Sequence, residues 1–241
     1  MVAQLTSIHY PDSDGKPMAD NTKQFRWIVV IEQNLEWLYA DDPQVFVAGD
    51  LLWYPVEGRP DIRVAPDALV VFGRPKGDRG SYQQWKEDHI APQVVFEILS
   101  PGNTKIEMEK KLLFYDRYDV QEYYIYDPDH PDLEGWLRGE SGSLENIPTM
   151  PGWVSPLLGI RFELPEELQL YFPDGTPFSS YQELHQKLLV EQQKVLVEQQ
   201  KVLVEQQKVL IEQQKVQRER QRADELAALL AQYQEKFGEL P

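Results

Sequence analysis

The sequence predicts a mixed α/β (α+β) domain that carries a long helical tail, and three observations predict it. Between residues 23 and 147, local patterns run helix, strands, helix, strand, the order of a mixed sheet flanked by helices. After residue 180 the composition turns to Gln, Glu, Lys and Leu, with no Gly or Pro between Tyr181 and Phe237, as one continuous helix requires. Within the first part, VVFEIL (94–99) is apolar on both faces apart from one glutamate, the signature of a strand central in a sheet. The expected domains are therefore residues 1–180 and 181–241.

The elements follow in order. KQFRWIVVIEQNLEWLY, from Lys23 to Tyr39, reads as an early helix. VFVAGDLLWYPV (45–56) reads as a hairpin turning at Gly49-Asp50, and DALVVF (67–72) as a short buried strand. A polar loop, GRPKGDRGSYQQWKED (73–88), follows. After the strand 94–100, Thr104-Lys105-Ile106-Glu107 has the S/T-x-x-E form of a capping box, so a helix over 104–118 begins there. EYYIYD (122–127) is a strand that stops at Pro128, and 133–147 is a second hairpin turning over Gly139–Gly142.

The tail contains four near-identical heptads, LLVEQQK (188–194), VLVEQQK (195–201), VLVEQQK (202–208) and VLIEQQK (209–215). At ~1.5 Å per residue the helix would extend on the order of 85 Å. Val195, Leu196 and Val197 spread over about 200° of the helix, with Gln199 and Gln200 between them, so a seam would alternate Leu with Gln. The repeats imply a self-associating coiled coil, and hence a homo-oligomer, or else a solvated single helix.

Composition narrows the chemistry. The chain has 241 residues and no Cys, which removes disulfides, thiolate metal sites and cysteine nucleophiles. The start, MVAQLTSIHYPDSDG, lacks the basic and apolar regions of a secretory signal, and no run approaches the ~18 apolar residues of a membrane span. A cytoplasmic location is expected. The net charge of −16 is concentrated in the first domain: residues 181–241 carry nine Lys/Arg against ten Asp/Glu, leaving 15 against 30 in residues 1–180, a net of −15. Such a body repels phosphate backbones, although bound cations reverse the sign locally. Nucleotide-binding glycine motifs and the G-x-S-x-G elbow are absent, and His9, His89, His130 and His185 have no zinc-ligand spacing.

Three residues carry candidate chemistry. A carboxylate at Glu97 in a central strand costs several kcal/mol, on the order of 3–5, unless it is paired, protonated or bound to a cation. The structural reading is an ion pair with an arginine on a neighbouring element; the functional one is a metal ligand or catalytic acid. Asp67, set after Pro66 at the entrance of the strand 68–72, is the second, either an ordinary turn residue or a ligand, with Asp61 after Pro60 as its competitor. On the helix 104–118, Lys111 shares a face with Met108, Tyr115 and Tyr118, where its stem packs and its amine reaches a site. Lys110, on a face with Ile106, Leu113 and Phe114, is the alternative; either lysine could instead be solvated. Paired carboxylates bind Mg²⁺ through oxygen, the metal polarises a phosphodiester, and a nearby ammonium neutralises developing charge.

Four pieces taken together, Pro66-Asp67, Glu97-Ile98-Leu99-Ser100-Pro101, Lys111-Leu112-Leu113-Phe114-Tyr115 and EYYIYDP (122–128), resemble the Uma-two type of restriction endonuclease. That family is abundant in cyanobacteria, was long a domain of unknown function, and belongs to the PD-(D/E)XK nuclease superfamily. The resemblance covers roughly residues 25–175, including Pro151-Gly152-Trp153 and Leu157-Leu158-Gly159-Ile160. It implies a PD-(D/E)XK restriction-endonuclease-like mixed sheet flanked by helices. It further implies that Asp67 and Glu97 bind Mg²⁺ (or Mn²⁺ in its place), with the Ile98 carbonyl completing the shell, and that Lys111 is catalytic. Leu99 stands where the usual E-x-K lysine would be, and the resemblance moves that lysine onto the following helix, at Lys111. Asp50 is a further ligand candidate.

Two functions of different class emerge. One is a Mg²⁺-dependent endonuclease acting on DNA, with RNA left open. The other is a non-catalytic interaction protein that keeps a degenerate nuclease fold and assembles through its heptads. In the loop 73–88, Arg74, Lys76, Arg79 and Lys86 beside Tyr82 and Trp85 read either as a DNA-facing flap or as a mobile surface loop.

Overall fold

A computed structural model describes residues 8–15 and 17–238, with the side chain of Phe237 left out. Residues 1–7 of the start, MVAQLTS, lie outside the described residues. The chain divides after Ser180 into two units.

The first unit is built on a six-stranded sheet of order β1-β3-β5-β6-β7-β8. Its strands are β1 Val45–Gly49, β3 Ala68–Phe72, β5 Val94–Ile98, β6 Glu122–Asp127, β7 Asp132–Arg138 and β8 Leu144–Asn146. β5 and β6 are parallel and joined through helix α2, Lys105–Arg117; the other neighbours are antiparallel. Short strands β2 (Trp53–Tyr54) and β4 (Tyr82–Gln83) form a parallel pair, and β9 (Arg161–Glu163) and β10 (Gln169–Tyr171) an antiparallel one.

Alternation along the strands sends side chains to two cores. On one face, Val45, Val47, Val70, Val94, Phe96 and Ile98 pack against Trp27, Ile28, Ile31 and Leu35 of helix α1, Thr22–Leu38. On the other, Phe46, Leu69, Val71, Val95, Tyr123 and Ile125 pack with Trp53, Tyr82 and Tyr115 of α2. Both helices are capped as their sequences specify: Asn21 Oδ1 accepts from the N–H groups of Lys23 and Gln24, and Thr104 Oγ1 from that of Glu107. Gly135 of β7 lies opposite Tyr124, where a Cβ would come within 2.6 Å of Met150 Sδ and 3.1 Å of Tyr124 Cδ1. Only glycine fits there.

One expected element is corrected. Residues 45–56 do not form a hairpin: β1 pairs antiparallel with β3, and β2 leaves the main sheet to pair with β4. At Asp50 the chain takes a left-handed conformation (φ 49°), and the Asp50 N–H donates to the carbonyls of Pro66 and Asp67. That contact ends the β1–β3 ladder and turns the chain away before a hairpin can close. The segment 73–88 also carries structure, namely β4 and a 3₁₀ turn over Gln84–Lys86.

The second unit is one helix, α3, Tyr181–Phe237. Among the described residues no helix is long and apolar enough to cross a membrane.

Candidate active site

The site is assembled by sheet register. Ala68 pairs with Phe96, so continuing the antiparallel ladder by one residue sets Asp67 across from Glu97. The two-residue period turns both side chains toward α2, because Val94, Phe96 and Ile98 occupy the α1 face. Glu97 is 2% exposed and Asp67 8%.

Each Glu97 oxygen has a partner on α2. Lys111 Nζ donates to Oε2 at 2.7 Å, and the Tyr115 hydroxyl donates to Oε1. One helical turn separates the two donors, so a single face of α2 grips the carboxylate on both sides. Where the structural reading named an arginine, a lysine and a tyrosine stand. Tyr115 is fully buried, stacked parallel to Trp53 with ring centroids 6.4 Å apart and tilted against Tyr123 at 4.8 Å.

Asp67 Oδ2 accepts from the N–H of Ile98 at 2.6 Å. The Ile98 carbonyl accepts from Gln24 Nε2 at 2.8 Å, and Gln24 Oε1 in turn accepts from the N–H of Asp20. Beyond it, Ser100 Oγ donates to Asp20 Oδ2 at 2.6 Å. The start of α1 therefore ties down the end of β5 from the opposite face of the sheet.

The electrostatics are those of an acidic cluster with too few cations. Burial pushes the Asp67 carboxyl well above the usual carboxylate range, and the Glu97 charge pushes it further. Burial also raises the Asp50 carboxyl, helped by the charges of Asp14 and Glu97 and opposed by Lys111. For Lys111, burial disfavours the ammonium, but the charges of Glu97 and Asp67 outweigh it and its pKa lies above the ordinary value. Burial, then the Glu97 charge, holds the Tyr115 hydroxyl protonated well beyond its normal range. Lys111 is a single ammonium shared by Asp67 and Glu97, with Asp50 within electrostatic reach.

The donor atoms are hard oxygens: two facing carboxylates and the Ile98 carbonyl. This set fits Mg²⁺ or Mn²⁺, ions that use one or two carboxylates and retain several waters. Among the described residues, no group of three or more His, Asp or Glu side chains is placed to hold a metal.

The alternatives separate clearly in position. Asp61 is exposed and paired with Arg59 Nη2 at 2.6 Å. Lys110 is exposed, on a face where Ile106 and Leu113 are 65% and 69% exposed. Neither joins the cluster. In the 73–88 segment, Arg74 pairs with Glu87 and Asp88, Arg79 with Glu87 and across the Phe46 ring, and Lys76 with Glu36. These cations neutralise the body's own carboxylates.

Gln24 escaped the reading of the sequence, and so did the bond made by Tyr115. Gln24 had a visible signal, because it is the polar member of the apolar stripe Trp27, Ile28, Ile31, Leu35 at helical spacing. Tyr115 was placed on the Lys111 face, yet nothing in the spacing showed that its hydroxyl would meet Glu97.

A family model described as "Uma2: Putative restriction endonuclease" matches residues 16–176, a span that contains all four motif pieces. A solved structure described as that of "a putative nuclease belonging to DUF820 from Anabaena variabilis ATCC 29413" is similar at a TM-score of 0.42 and 17% identity, covering 58% of this chain and 74% of that one. No curated protein matches the chain.

Proposed function

The chain belongs to the Uma2 restriction-endonuclease family, and on that premise we propose that it is a Mg²⁺-dependent endonuclease hydrolysing DNA phosphodiester bonds in the cytoplasm. The observation that carries this reading is the buried Asp67–Glu97 pair with Lys111 at 2.7 Å from Glu97. In this proposal Asp67, Glu97 and the Ile98 carbonyl hold the metal. When bound, the cation supplies Lewis-acid polarisation of the phosphodiester and a lower pKa for the attacking water.

The protein groups have separable roles. Tyr115 and Lys111 fix both Glu97 oxygens, so the carboxylate needs no reorganisation during reaction. Lys111 stays protonated at neutral pH, which suits it to stabilising negative charge on the phosphoryl oxygens rather than to accepting a proton. The Asp67 carboxyl, raised by burial and by Glu97, holds a proton more readily than a free aspartate and would give it up to hold a cation. Gln24 holds the Ile98 carbonyl in place from the other side of the sheet.

The test is cleavage of supercoiled and single-stranded DNA and of RNA by the purified chain with Mg²⁺ or Mn²⁺, beside Glu97→Ala. DNA cutting that requires the cation and is lost in a folded variant supports the proposal. RNA cutting alone would move the substrate class.

A further inference from the structure

Along α3, every Val, Leu and Ile from Leu188 to Ile211 is 40–56% exposed. The charges of the same segment close on themselves: Lys194–Glu191, Lys201–Glu198, Lys208–Glu205 and Lys215–Glu212 pair at i,i+3 over 3.2–3.4 Å. Set at 3.5 residues per turn and centred on Leu196, the two glutamines fall at about ±51°, Val195 and Val197 at about ±103°, and Glu198 and Lys201 at about ±154°. The uncharged arc is therefore about 200° wide and symmetric, with Leu at its middle and a Val–Gln flank on each side.

Three features name a further copy of this chain as what covers that arc. The surface repeats every seven residues over four heptads, so a partner must share the period, and this tail does. Gln both donates and accepts, so glutamines from identical chains can bond to one another where a partner lacking them would leave amides unpaired. The arc carries no charge, so like chains meet there without repulsion even though their bodies are acidic. The width decides the number. A two-stranded coil buries one narrow seam, here Leu with one Gln column, and leaves the far Val column in water. Three or more strands give each helix two neighbours, and both flanks are covered with Leu facing the axis.

We propose that residues 188–215 assemble three or more copies of the chain into a closed bundle through both Val–Gln flanks. The test is the mass of the full-length protein by sedimentation equilibrium across micromolar concentrations, with two triple variants. One is Val195→Lys, Val202→Lys and Val209→Lys; the other is Val197→Lys, Val204→Lys and Ile211→Lys. Lysine preserves helix propensity, and circular dichroism checks that the helix and the body persist. The wild type should sediment at three or more chain masses, and each triple variant should reduce it to the monomer or dimer. A monomeric or dimeric wild type overturns the proposal. So does a larger assembly that survives either triple variant with its mass unchanged.

Discussion

Lys111 Nζ lies 2.7 Å from Glu97 Oε2, although the two residues sit on different elements, the crossover helix and the central strand it packs against. The pair is unequal in exposure, with 20% of the lysine side chain and 2% of the glutamate reached by solvent. The lysine supplies the charge that makes an ionised Glu97 tolerable there. Lys111→Met keeps the apolar stem and removes the ammonium. It should destabilise the fold by about 3 kcal/mol, the lower end for an orphaned buried charge, because the site keeps some access to water and Tyr115 still donates. Cleavage should fall by about 10²–10³-fold. Denaturant unfolding beside a cleavage assay checks both, and a variant as stable and active as the wild type would contradict the assignment.

Tyr115→Phe isolates the other donor. The ring keeps its packing on Trp53 and Tyr123 while Glu97 Oε1 loses its hydrogen bond. The expected cost is about 1–3 kcal/mol, read as a lower denaturant midpoint with an unchanged slope. Combined with Lys111→Met, the two losses should be non-additive by more than about 0.5 kcal/mol, because both act on one carboxylate.

The raised Asp67 carboxyl sets a direction for stability against pH. Its native pKa lies above its unfolded one, so the native state holds the extra proton. The stabilisation is complete below the ordinary carboxylate range and is lost as pH rises through the native value. Asp67→Asn keeps an acceptor for the Ile98 N–H and carries no charge. It should exceed the wild type in stability at about pH 8, by a margin that shrinks toward about pH 4. Mg²⁺ should raise the Tm of the wild type and leave the variant's unchanged. A pH-independent margin would show that Asp67 does not titrate between those limits.

Asp61→Asn and Lys110→Ala serve as contrasts. Both residues are exposed and outside the cluster. Stability should change by no more than about 0.5 kcal/mol and cleavage by less than twofold. A large loss of cleavage in either would move the site.

How much of this was legible in the sequence varies with what each residue's neighbours are. The strands at 67–72, 94–100 and 122–127, both capped helices and the tail follow from local periodicity, and they appear with boundaries shifted by a residue or two. The 45–56 hairpin failed because pairing is not local. The apolar residues of 45–49 match β3, nearly twenty residues on, and Asp50 closes that ladder through Pro66 and Asp67. The facing of Asp67 and Glu97 was readable as a carboxylate pair but not as a register. Choosing Lys111 over Lys110 needed the exposure of each face of α2, which its weakly segregated sequence does not announce. Gln24 joins the site from the opposite side of the sheet, a relation that no linear spacing encodes.

The measurement that bears most directly on the account is divalent-dependent DNA cleavage by wild type and Glu97→Ala, run with a titration of Mg²⁺ or Mn²⁺ into each. Cutting and metal binding are expected in the wild type, and neither in a variant shown to be folded. If the wild type neither cuts nor binds a divalent cation, the cluster of Asp67, Glu97, Lys111 and Tyr115 is a structural ion-pair network, and the body serves as a scaffold for the heptad tail.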